Sequence, residues 1–99
     1  MTICKAYNIF FNNFANKTKL DIIIALRAGP LNVNEIVEKV GEEQSTISHN
    51  LRKLGAFHIL NVEQKGRQRV YSLNKQTVAP MLRIVEKHVE ENCSGSCKK

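Results

Sequence analysis

The chain has no apolar run near the length a membrane helix requires; its longest stretch, Ile22–Leu26, is short, and others such as Ile59–Leu60 are shorter still. A spanning helix needs about 20 such residues, so none is expected. The opening Met1-Thr2-Ile3-Cys4-Lys5 lacks a charged leader followed by an apolar segment. No signal peptide is expected there, and the chain is expected to be cytoplasmic. Cysteine is scarce and odd in number: Cys4, Cys93 and Cys97. That argues against a disulfide framework. No His/Asp/Ser or paired-carboxylate constellation stands out, and the three histidines fall on three different elements, so an enzyme is not expected. There is no internal repeat and no linker.

What is present is a small basic chain of 99 residues. Its size leaves room for one core, and a chain this short buries only about 60–65% of its unfolded surface. A lone monomer is therefore marginal, and a partner, a metal or a dimer interface is expected. With 42% hydrophobic and 24% charged residues the composition is globular, which excludes wholesale disorder. Fifteen Lys+Arg against nine Asp+Glu give +6, a balance that favours polyanionic partners, nucleic acid first. The excess is spread evenly along the chain, so clustering must decide. One segment has it: Lys65, Arg67 and Arg69 lie within five residues with no acid among them.

The periodicity predicts five helices and a hairpin. Ile3, Tyr7, Phe10, Phe11 and Phe14 form one helical stripe. A second helix spans about Lys17 to Ala28, with Leu20, Ile23, Ile24 and Leu26 inward and Gly29-Pro30 as its stop. Asn32 followed by Glu35 is a capping-box start for a short helix, Val33 to Val40, ended by Gly41. A fourth helix begins at Glu43 or Gln44 and runs through Leu54, burying Ile47, Leu51 and Leu54. At 100° per residue, Ser45, His49 and Arg52 point the other way, with Thr46 and Lys53 flanking. A short helix, a tight turn and a helix with a polar, partly basic outer face make a helix-turn-helix arrangement. The period then changes: Leu60 and Val62 alternate, as do Tyr71 and Leu73, and a basic tip lies between them. A last helix runs from about Thr77 to Asn92, with Val78, Met81, Leu82, Val85 and Val89 on one face. The expected domain is thus residues 1–92, mostly α with a two-stranded wing, followed by a short flexible cysteine-containing tail, 93–99.

This order is that of a winged helix-turn-helix, and the residues resemble the ArsR/SmtB transcriptional repressors. Asn16-Lys17-Thr18-Lys19-Leu20-Asp21-Ile22-Ile23 is similar to the family's D-P-T-R-L-R-I-L opening. Gln44-Ser45-Thr46-Ile47-Ser48-His49-Asn50-Leu51 resembles its Q-S-T-V-S-R-H-L recognition helix, and Lys65-Gly66-Arg67-Gln68-Arg69-Val70-Tyr71 its E-G-R-R-x-x-Y wing. The match covers roughly residues 14–92, and the combination is specific where each piece alone is not. His58 stands where the family has glycine after the recognition helix, a position at which a left-handed backbone would cost a residue with a Cβ. The resemblance implies a homodimer built from the first and last helices, which here would be Tyr7, Phe10, Phe11 and Phe14 with Met81, Leu82, Val85 and Val89. Both stripes lack obvious cover within one chain.

The resemblance also implies a repressor on double-stranded DNA with a pseudo-palindromic operator. The recognition helix can enter a major groove about 12 Å wide with its N-terminal residues at base edges. Gln44 suits adenine; Ser45, Thr46, Ser48 and His49 suit bases or phosphates; Arg52, two turns on, suits phosphate or a guanine edge. Lys65, Arg67, Gln68 and Arg69 would meet backbone or minor groove. The alternative is a winged-helix protein–protein module without sequence-specific DNA binding.

Many members of the family release DNA on binding a metal. The cysteine pair of the third-helix site corresponds here to Asn32-Val33-Asn34, so that site is absent. Of the last-helix zinc site, His88 and Glu91 match the second half, while Lys75 and Thr77 occupy the first. The cysteines are better candidates. Cys93 continues the stripe of Val85 and Val89, Gly95 can let Cys97 fold back, and Cys4 lies on the first helix. Converging thiolates would suit As(III), Cd(II) or, with a fourth ligand, Zn(II). Two alternatives stand beside this: a reversible disulfide of Cys93 with Cys4 or Cys97 that reports oxidant, or a merely buried Cys93 with the other two on disordered ends.

Overall fold

The computed structural model describes residues 3–92, with side chains from Lys5 onward. The elements run α1 (Ile3–Ala15), α2 (Lys17–Ala25) with a 3-10 turn (Leu26–Ala28), β1 (Leu31–Asn32), α3 (Val33–Val40), α4 (Gln44–Ala56), β2 (Leu60–Lys65), β3 (Gln68–Leu73) and α5 (Val78–Asn92). Cys93 and Cys97, the tail that carries them and the side chain of Cys4 lie outside the described residues.

Local chemistry sets most of the boundaries. Asn16 is extended, and its side chain accepts from the Lys19 N–H at 3.0 Å, which ends α1 and starts α2 in one residue. One turn on, Lys17 donates to Asp21 at 2.8 Å, and that hydrogen bond holds the Lys17 pKa above the usual lysine value. Gly29, at φ 150 and ψ 177, occupies a region open essentially to glycine alone, and this turns the chain out of the 3-10 segment. Asn32 and Glu35 close the expected capping box, each side chain bonded at 2.9 Å to the other's backbone N–H.

The end of α4 is a Schellman motif. The Ile59 N–H reaches the Leu54 carbonyl at 3.1 Å and the His58 N–H reaches that of Gly55 at 3.0 Å. His58 sits at φ 60, the only non-glycine with positive φ among the described residues, so the left-handed backbone that would cost a residue with a Cβ is present at this position. Asn74 holds this corner: its Nδ2 donates to the His58 carbonyl at 2.9 Å, and its Oδ1 accepts from the Gln76 N–H at 2.9 Å. One asparagine therefore ties the end of α4 to the turn that launches α5.

The core gathers Ile22, Ile23 and Leu26 of the second helical segment, Ile36 of α3, Ile47, Leu51 and Leu54 of α4, Ile59, Leu60 and Leu73 at the sheet base, and Val78 and Leu82 of α5. One inward assignment is corrected. Ile24 is half exposed, because the buried stripe of α2 runs through Ile22, Ile23 and Leu26 (i, i+1, i+4) and Ile24 falls beside it. Val62 is 56% exposed, because β2 leaves the core after Leu60 and its later residues have nothing to cover them. The hairpin is present, with Leu60 opposite Leu73, Val62 opposite Tyr71 and Lys65 opposite Gln68. It is not alone. Leu31 and Asn32 pair with Tyr71 and Val70, so the wing belongs to a three-stranded antiparallel sheet ordered β1-β3-β2. A two-residue strand has no period to read, so only long-range pairing reveals it.

Candidate nucleic-acid interface

The outer face of α4 follows from its inner one. With Ile47, Leu51 and Leu54 fully buried, Gln44, Ser45, His49 and Arg52 are left exposed, while Thr46 and Ser48 are half-buried on the flanks. The N-cap, Glu43, makes no side-chain bond to the first-turn N–H groups. The helix thus opens without a protein cap at the end where the polar side chains stand.

The wing turns at Gly66, whose φ of 64 places a glycine at the first central position of a two-residue hairpin loop, with Arg67 second. That puts Arg67 at the tip. Strand alternation then divides the basic cluster that looks continuous in sequence. Arg69, opposite Gln64, shares the face of Tyr71 that turns toward α4. Lys65, opposite Gln68, lies on the other face and stands 3.9 Å from Glu63. Gln68 accepts from Asn32 Nδ2 at 3.4 Å, which joins the wing to the start of α3.

Two grooves separate the wing from the helices. One, of about 270 Å³, is lined by Gln44 of α4, Asn34 of α3, and Arg67, Gln68 and Arg69 of the wing. The other, of about 390 Å³, runs further along α4 and brings Ser48 and Arg52 opposite Arg69 and Tyr71. Arg69 lines both. Neither groove has an acidic side chain in its walls, and Arg52, Arg67 and Arg69 have no ion-pair partner among the described residues. Such a surface offers amide, hydroxyl and guanidinium donors over a curved face, the equipment for base edges and phosphates. Asn34 was missed in sequence; its only signal is that it follows a capping residue on the helix before the turn.

The residues assigned to a dimer surface separate into two groups. Leu82 is buried in the chain's own core, and Phe10 and Phe14 are half-buried against it. Phe10 and Phe11 meet edge to face at 5.1 Å, yet Phe11 is 55% exposed and Tyr7 is 62% exposed. On α5, Val85 and Ile84 lie open, Ile84 at 70%, with Met81 and Val89 half-buried. Ile84 escaped the sequence reading, although Met81, Ile84, Val85 and Val89 satisfy helical spacing. Near the end of α5, His88 pairs with Asn92, and among the described residues no three metal-ligating side chains come together.

Comparison with known proteins supports this geometry. A model of the bacterial regulatory protein arsR family matches residues 16–61. The HTH-type transcriptional regulator NmtR of Mycobacterium tuberculosis is 41% identical over 68 residues, which are 69% of this chain and 57% of that protein, so the match spans little more than half of that relative. The solution structure of apo-NmtR aligns with the whole of this chain and 85% of its own, at 32% identity and a TM-score of 0.75. A homodimeric winged helix-turn-helix DNA-binding domain from Mycobacterium bovis aligns over 94% of this chain and 91% of its own, with a TM-score of 0.78. At 22% identity that last likeness speaks for the fold.

Proposed function

The chain belongs to the arsR family of bacterial regulatory proteins, and from that premise we propose that it is a homodimeric, sequence-specific DNA-binding repressor of transcription. The observation that carries the proposal is the groove in which Gln44 of α4 meets Arg67 and Arg69 of the wing. A helix able to read bases and a wing able to hold phosphate meet at one groove whose walls carry no acid. Gln44, Ser45, Thr46, Ser48, His49 and Arg52 would address the major groove, while Arg67, Gln68 and Arg69 would address backbone or minor groove, with Lys65 at the outer edge. The uncovered apolar side chains of α1 and α5 support the dimer, and the proteins that align with the chain include an HTH-type transcriptional regulator and a homodimeric winged helix-turn-helix DNA-binding domain. Selection from a random duplex pool tests this. The expected outcome is an imperfect palindrome with half-sites about one helical turn apart. Recovery of no preferred sequence, with binding to proteins intact, would instead identify a protein-interaction module.

Release of DNA through the thiols is the finer part of the proposal. In sequence, Cys4 falls in the first turn of α1, while Cys93 and Cys97 follow the last residue of α5. As(III), Cd(II) or Zn(II) held by thiolates, or a disulfide, would act by favouring the DNA-free conformation, since equal affinity for both states shifts nothing. A typical coupling lowers operator affinity about 5–150-fold. Duplex affinity measured in reductant, then with each ion or a mild oxidant, should show that loss. The Cys93→Ser protein should not respond, and an unchanged response without all three cysteines would exclude thiol sensing.

A further inference from the structure

The second groove, between α4 and the wing, has a floor that DNA contact does not call for. From α4 it is walled by Leu51, Arg52 and Gly55, and from the hairpin by Val62, Arg69 and Tyr71. These are one helical stripe (i, i+1, i+4) facing one strand face, so the groove is a product of the two periods rather than of a loop. Val62, more than half exposed, and the half-buried Tyr71 lie opposite each other across the hairpin and present apolar surface in its interior. The two guanidiniums stand on opposite walls, have no partner among the described residues, and face no acid in the groove.

Gly55 is the second, independent observation. It is the last residue but one of α4, in the helix's final turn. Its φ is not in the left-handed range, and a Cβ added there would meet nothing within 4 Å. Neither backbone conformation nor close packing calls for a glycine at this point. What the missing side chain leaves is open space in the groove.

We infer that this groove is a binding site for a small aromatic carboxylate, which seats its ring over Val62 and Tyr71, places its carboxylate between Arg52 and Arg69, and thereby competes with DNA for those two side chains. The volume, about 390 Å³, lies within the range of small-molecule sites, and such sites combine an apolar lining with a few polar groups that fix orientation. Guanidinium forks match a carboxylate in two parallel bonds. Binding requires only the groove; the competition rests on the DNA-binding reading above.

Titration calorimetry with 1-naphthoate, on the full chain without DNA, separates the two. Saturable binding of one naphthoate per chain is expected, weakened at least tenfold for uncharged naphthalene and for Arg69→Ala. Gly55→Leu, which fills the floor, and Val62→Glu, which sets a carboxylate against the ligand's own, should each abolish it while circular dichroism stays unchanged. Naphthoate should also lower the affinity of the unmodified protein for duplex DNA, and Gly55→Leu should bind duplex as before but no longer respond. The absence of saturable binding, or binding indifferent to both substitutions, would overturn the site. Naphthoate binding that leaves duplex affinity unchanged would overturn the competition. A protein that binds naphthoate but no duplex would instead count against the DNA reading.

Discussion

The half of the molecule that carries α3, α4 and the wing is largely finished within one chain; the outer surfaces of α1 and α5 are not. On the first side three turns are closed locally, by a capping box at Asn32, a Schellman motif at His58 and a glycine turn at Gly66. Apart from Phe57 and Val62, its exposed side chains are chiefly polar. On the second side Tyr7, Phe11, Ile84 and Val85 stand open, Ile84 at 70%. Large apolar groups left in water at helical spacing mark an interface, whereas exposed polar groups on a rigid helix mark a surface kept wet until something charged arrives. A small chain can thus divide its labour, with stability drawn from a partner on one face and recognition prepared on the other.

Breaking the unfinished face should have the largest effect. Ile84→Glu places a charge in the proposed dimer interface, where two-fold symmetry would count it twice, so the dimer should lose about 3–6 kcal/mol, from about 1.5–3 for each buried side chain. Sedimentation at micromolar concentration should show a monomer, and a persisting dimer would move the interface elsewhere. On the finished face, Gln44→Ala should remove about 1–3 kcal/mol of discrimination at one base position while affinity for unrelated duplexes holds, as read by competition binding. Asn74→Ala should lower stability by about 1–2 kcal/mol in denaturant melts, since it frees the His58 carbonyl and the Gln76 N–H together. Arg67→Ala should weaken binding to all sequences alike and reduce the slope of log affinity against log salt by about 1. The smallest effect is a gain: His58→Gly relieves a left-handed backbone and should stabilise by about 0.5–1 kcal/mol, after the added freedom of the unfolded chain is subtracted. A loss there would mean that the imidazole makes a contact worth more than the strain.

The amino-acid order by itself determined whatever depends on a few neighbouring residues. Asn32 and Glu35 announce a helix start because both bonds of the box close within three residues, and Gly41 and Gly66 announce turns because only their backbones adopt those angles cheaply. The stripe of Ile47, Leu51 and Leu54 declared the inner face of α4, and with it the outer one. Tertiary packing alone decided the rest. Leu31 and Asn32 become a strand only because β3 passes beside them. Lys65, Arg67 and Arg69 read as one cluster until the hairpin sends Arg69 toward α4 and Lys65 away, since strand alternation assigns faces but not what each face meets. Ile24 and Ile84 carry apolar side chains like their neighbours, and no periodicity says which of them a single chain will cover. That depends on where α2 and α5 cross the core, a matter of contacts between residues far apart in sequence, which a local pattern does not encode.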